Sequence, residues 1–258
     1  MNGSNTVSWT INGNVASVVL DRPPYNHVDL EVMTSLADTL EALDTDDRCR
    51  AVVLTTVGKV FCGGADLISS DGLLGGGEAG LGSFYRQAAR LFGTGKPIVA
   101  AVQGAAVGAG LGLALVADFR VAAPEARFAA NFVKLGFHAG FGITHTLPRV
   151  VGLQRAALML QTGRRIAGGE ALTWGLVDAV APLQELIGAA QALAAEIAQN
   201  APLAVEATRA TLRAGLVEAF FSQTRHELTE QARLMATDDF AEGVRAVSER
   251  RAGAFIRQ

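Results

Sequence analysis

Apolar and polar positions alternate through residues 6–21 on either side of Asn12-Gly13. That is the spacing of two strands joined by a tight turn, so the chain is expected to open with a β-hairpin. After Pro23-Pro24 the period lengthens: Leu30, Met33, Leu36, Ala37, Leu40 and Leu43 recur at helical spacing behind Asp29, a residue suited to capping a first turn. Short apolar runs predict buried strands over 51–57, Ile98–Val102 and Phe119–Ala122, with helices between them over 84–92 and Ala109–Val116. Strand and helix alternate, which predicts an α/β fold with mostly parallel pairing. From residue 144 onward helical spacing dominates, over 144–150, Leu153–Thr162, 169–174, 186–199, 203–212, 219–236 and 240–250. One boundary is expected near residue 200, dividing a core of residues 1–200 from a helical region of residues 201–258.

Residues 97–117 carry no charge, and Gly104, Gly108 and Gly112 fall at the GxxxG spacing of membrane helices. The run nevertheless reads as a short β-branched strand followed by glycine punctuation and a separate helix, with no flanking basic cluster. No membrane association is expected. The remaining glycine-rich stretch, residues 63–82, cannot build a core element and is expected to form a mobile surface loop.

The chain has 258 residues, half of them apolar, and Lys+Arg 22 against Asp+Glu 25 leaves a net charge of −3. Disorder is excluded by that apolar content, and a nucleic-acid partner by the lack of basic excess. Cys49 and Cys62 form no CxxC pair, and the N-terminus has no signal-peptide pattern, so a cytoplasmic location is expected. Gly104, Gly108 and Gly110 imitate a dinucleotide loop, but no Tyr-x-x-x-Lys follows. GxSxG, Walker A and HExxH motifs are absent, and His226-Glu227 is only half of the last, so no metal site is expected.

Two glycine-rich turns remain, each placed after a strand: residues 61–67 (FCGGADL) and 103–110 (QGAAVGAG). Small residues there let the backbone approach a ligand, and a helix starting at such a turn directs unpaired N–H groups outward. Two such groups from separate loops would make an oxyanion hole. Tight packing of helix on strand accounts for the same composition, and the spacing alone leaves both readings open.

Residues 61–67 (FCGGADL), 96–118 (KPIVAAVQGAAVGAGLGLALVAD), 147–152 (LPRVVG) and 162–177 (TGRRIAGGEALTWGLV), together with Asp21-Arg22-Pro23-Pro24 and Glu249-Arg250-Arg251, resemble the enoyl-CoA hydratase/isomerase, or crotonase, superfamily over nearly the whole chain. The resemblance implies a spiral of ββα turns followed by a helical trimerisation region, an acyl-CoA thioester as substrate with no resident cofactor, and a trimer or hexamer. Its shared chemistry implies that the N–H groups of Ala65 and Ala109 stabilise a thioester enolate. It places the substrate against Ala65, Asp66, Leu67, Ile68, Ala109, Gly110 and Phe132, with Asp66 also capping a helix. Lys59 and Arg251 of the partner subunit are expected near the CoA phosphates.

The sequence departs from the hydratase pattern where acid and base are needed. Family hydratases carry glutamates at positions that here are Gly112 and Phe132, and an aspartate used by other members falls at about Gly140. Neither glycine nor phenylalanine moves a proton. His138, flanked by glycines, is the general-base candidate, with an ordinary hydrogen-bonded histidine as the alternative, and His145 is expected to be structural. On the late helices Phe220, Phe221, Leu228, Leu234 and Met235 are expected to be covered by other subunits.

Overall fold

The computed structural model describes residues 6–66 and 77–258. Strand β1 (Val7–Asn12) turns through Gly13, whose φ of +59° suits glycine, into β2 (Val15–Leu20), and the two pair antiparallel with Asn12 opposite Val15. Helix α1 (Leu30–Asp44) starts at Asp29, whose side chain accepts a hydrogen bond from the Val32 N–H, as the spacing predicts.

The main sheet then grows by parallel addition of β3 (Ala51–Thr56), β4 (Ile98–Val102), β6 (Phe119–Ala122) and β9 (Ala179–Val180), in the order β1-β2-β3-β4-β6-β9. After β4 the chain crosses to a second, small sheet made of β5 (Ala105–Val107), β7 (Arg127–Ala129) and β8 (Arg165–Ala167). Helix α3 (Ala109–Val116) follows β5, and α4 (Ile143–Val151) follows β6, β7 and a 3-10 turn at Phe132–Leu135. These are successive ββα turns of the expected spiral. The charge-free run is thus divided among β4, β5 and α3, and among the described residues no helix is long and apolar enough to cross a membrane.

Both faces of the main sheet are covered, which explains why β3 and β4 read as unbroken apolar runs. One face packs on α7 (Leu186–Ala198) through Val53, Val99 and Val121 against Leu186, Ala190 and Ala194. The other meets α1, α2 (Gly77–Gly93) and α3 in the larger core. Helix α2 corrects the expectation of a loop through residue 82. Its glycines disfavour a helix, but the buried side of Leu81, Phe84, Ala88 and Leu91 outweighs them. Residues 67–76, the rest of that stretch, lie outside the described residues.

After α5 (Leu153–Thr162) and α6 (Gly168–Trp174), the chain ends in α8 (Pro202–Leu212), α9 (Leu216–Met235) and α10 (Asp238–Ser248). Asp118 ties α8 to the sheet, accepting from the Ile98 N–H and pairing with Arg209 and Arg213 at 2.8 Å each. The apolar residues of α9 do not await another subunit as a group. Phe220 is fully buried in its own chain, 4.6 Å from the Phe92 ring and 6.4 Å from the Phe141 ring. Leu228, Leu234 and Met235 pack partly buried against the same core, and Phe221 alone is strongly exposed, at 40%.

Candidate active site

Hydrogen bonds lock the 61–66 turn between two other segments. On one side the Cys62 N–H donates to the Ala105 carbonyl (2.9 Å) and the Val107 N–H to the Cys62 carbonyl (3.0 Å). On the other, the Gly63 N–H donates to Tyr25, the Val28 N–H to Gly64 and the Asp66 N–H to Val28. Side-chain amides brace the entry: Asn26 donates to the Val57 and Val60 carbonyls, and Gln103 to the Thr56 carbonyl and hydroxyl.

This packing is tight enough to require glycine. A Cβ on Gly104 would lie 1.9 Å from the Lys59 carbonyl oxygen, and one on Gly110 would lie 2.1 Å from that of Cys62. The two readings of the glycine-rich turns are therefore not exclusive. Close packing is what brings the two loops together.

Because the bonds on either side of Ala65 are made by Gly64 and Asp66, the strand alternation turns the Ala65 N–H away from Val28. It donates to no acceptor among the described residues. Ala109 is the first residue of α3, where helix geometry supplies no acceptor, and its N–H is likewise unengaged. Gly108, at φ +54° and ψ −120°, makes the abrupt turn that places it there. Ala65 and Ala109 line the same cavity of about 540 Å³.

The rest of that cavity is mainly apolar. Leu81, Leu135, Phe240 and Val244 line it with Phe132 and Phe137, whose rings lie 5.8 Å apart. Asn131 and Gln231 add polarity, and among its described lining residues only His27 and Asp66 titrate. His27 stacks on Tyr25, with ring centroids 5.6 Å apart and planes 26° from parallel. Burial lowers its pKa below the usual 6.5, the Asp66 charge opposes that shift, and Arg22 adds to it.

The cavity collects Ala65, Asp66, Ala109 and Phe132 from the residues expected on sequence grounds. Gly110 lies directly behind, against Cys62, while Leu67 and Ile68 lie outside the described residues, as does any helix that Asp66 would cap. His138 is not brought to the cavity wall. Its Nδ1 sits 2.7 Å from the Ala139 carbonyl, and its ring meets that of His226 edge-on at 6.0 Å. His145 is on α4, where burial lowers its pKa and its Nε2 has no partner among the described residues. Arg251 pairs with Glu242 and Glu249 of its own chain, and Lys59 is exposed.

The two glycine positions without carboxylates, Gly112 and Gly140, are closed. A Cβ on Gly112 would fall 2.3 Å from the Phe141 ring, and one on Gly140 would fall 2.0 Å from the Tyr85 hydroxyl. Tyr85 donates to Gln231 (2.7 Å), whose amide donates to the His138 carbonyl (3.0 Å).

Two further residues stand out, His27, which no sequence pattern marks, and Glu227, which the half-motif His226-Glu227 would place on a solvated helix face and which is instead buried. His27 follows a proline-rich turn and belongs to no periodic element. Glu227 is fully buried on α9, accepting from the N–H groups of Gly142 and Thr144 and from the Thr144 hydroxyl. Burial pushes its pKa up to about 7 against those hydrogen bonds.

Residues 10–258 match the family model described as enoyl-CoA hydratase/isomerase. The chain is 38% identical over 255 residues to a putative enoyl-CoA hydratase of Thermus thermophilus, covering 94% of this chain and 98% of the relative. It is 34% identical over 254 residues to a carnitinyl-CoA dehydratase of Salmonella arizonae, covering 96% and 97%. Among solved structures it is similar to an enoyl-CoA hydratase/isomerase from Pseudoalteromonas atlantica, with a TM-score of 0.85 and 31% identity over 98% of this chain and 100% of that one. A carnitinyl-CoA hydratase from Mycobacterium avium gives a TM-score of 0.84 and 31% identity over 99% and 100%.

Proposed function

The chain belongs to the enoyl-CoA hydratase/isomerase family, and we propose that it binds an acyl-CoA thioester and stabilises its enolate with the N–H groups of Ala65 and Ala109. The observation that carries this reading is that both N–H groups lack an acceptor among the described residues and both residues line one cavity. A thioester oxygen placed between them gains charge as the α-proton leaves, and fixed donors stabilise that charge more than the neutral carbonyl. The apolar wall of Phe132, Leu135, Phe137 and Phe240 suits an acyl chain.

Hydration of a 2-enoyl-CoA is proposed to be slow. It needs one group to activate water and one to deliver a proton, whereas Phe132 is apolar and Phe141 fills the space beside Gly112. Reactions through the enolate that need a single base, namely α-proton exchange and migration of a 3-enoyl double bond, suit the site better. A panel of saturated, 2-enoyl, 3-enoyl and β-keto acyl-CoAs tests this. Exchange or migration faster than crotonyl-CoA hydration is expected. Rapid hydration would contradict it, and binding without any turnover would reduce the chain to an acyl-CoA-binding protein.

The trimer or hexamer expected through residues 201–258 belongs to the same proposal. It is supported by two leucines at opposite ends of α8, Leu203 at 79% and Leu212 at 72% exposure. Sedimentation at micromolar concentration is expected to give the mass of three or six chains, and a monomer would contradict it.

A further inference from the structure

We propose that His27 is the general base of this site, taking the α-proton of the bound acyl-CoA thioester. The assignment rests on the enolate reading above and gives that reading the proton acceptor it lacks.

Three observations support His27. It lines the same cavity as Ala65 and Ala109, whereas His138 does not, and Glu227 is fully buried and absent from the cavity wall. It is held in place from two sides. Its ring stacks on Tyr25, and its Cδ2 and Nε2 each lie 2.8 Å from where a Cβ on Gly63 would stand, so the imidazole covers the 61–66 turn. Its backbone is fixed as well, the carbonyl accepting from Arg22, which pairs with Asp29 at 2.6 Å.

The charged groups around it suit the role. Burial and Arg22 favour the neutral ring, which accepts a proton near pH 7, and Asp66 favours the imidazolium that results. Asp66, the other titratable lining residue, is placed to stabilise that charge. In the step itself the Cα–H bond breaks and its proton goes to the imidazole. The electron pair enters the enolate, whose oxygen is held by the two N–H groups. Return of the proton to Cα completes exchange, and delivery to the far carbon of a 3-enoyl chain moves the double bond. No oxidant or co-reactant is consumed.

The test follows deuterium incorporation from heavy water into the α-position of butyryl-CoA, with binding of butyryl-CoA measured separately. The wild type is expected to exchange, with a rate that rises with pH through a midpoint below 6.5 and then levels. His27→Gln is expected to lose about 10²-fold of the plateau rate together with that limb, while butyryl-CoA affinity and the thermal midpoint hold. Exchange that survives His27→Gln with its pH limb intact overturns the assignment alone. Bound butyryl-CoA with no exchange in the wild type overturns the enolate reading and takes this assignment with it.

Discussion

Ala109→Pro is expected to lower the rate of α-proton exchange by about 10²–10³-fold, the usual cost of deleting one oxyanion donor. The substitution removes the N–H and sets the ring Cδ in its place on the cavity wall, so the loss is expected to be at least that large. Ala109 is the first residue of α3, where proline is well tolerated because that N–H has no helical acceptor and the required φ is the one proline enforces. The residue before it is Gly108, at φ +54° and ψ −120°. This is the mirror image of the extended conformation that proline imposes on its predecessor, and glycine adopts it at no steric cost. The thermal midpoint is therefore expected to stay close to that of the wild type while the rate falls. An unchanged rate in a folded Ala109→Pro variant would remove this N–H from the chemistry.

The second large effect is on stability. Glu227 reaches from α9 to the start of α4, where Gly142 has no capping side chain of its own, and accepts the Gly142 N–H at 2.7 Å. The positive end of α4 favours a carboxylate there, while complete burial favours the neutral acid, and burial is the larger effect. With a folded pKa of about 7 against 4.5 for an ordinary glutamate, the folded state holds a proton that the unfolded state has released between those values. Stability from this group is thus present below pH 4.5 and is lost as pH rises to about 7, by about 3 kcal/mol at 1.36 kcal/mol per pKa unit. Glu227→Gln keeps the shape and cannot ionise. The difference in unfolding free energy between wild type and Glu227→Gln, taken from urea titrations at pH 5 and pH 8, is expected to move by most of that amount in favour of the variant, since at pH 5 the unfolded glutamate is already largely ionised. A difference independent of pH would show that Glu227 does not change its charge on folding.

Elements whose signals are local were legible in the sequence. Asp29 followed by an apolar stripe marks the start of α1, and unbroken apolar runs mark β3 and β4, because their causes lie within a few residues. The strands β5, β7 and β8 have three residues each, too few to show a period. The start of α2 was hidden because its glycines speak against a helix, and only packing on α1 and α9 outweighs them. In the site, the two turns could be read directly, but His27 sits in an irregular loop and reaches Gly63 only through the fold. The closed positions depend on still more distant partners. Gly140 is filled by Tyr85 and Gln231, which are 146 residues apart in sequence and joined by one hydrogen bond. The burial of Phe220 was likewise invisible, since periodicity gives the apolar side of a helix and not what covers it.

The central claim is that two backbone N–H groups hold one thioester oxygen, and a crystal structure with a saturated acyl-CoA bound tests it most directly. The thioester oxygen is expected within about 3 Å of both the Ala65 and the Ala109 nitrogens, with the acyl chain running along Phe132 and Phe137. An oxygen that meets only side chains, or an acyl-CoA bound with its thioester outside this cavity, would contradict it.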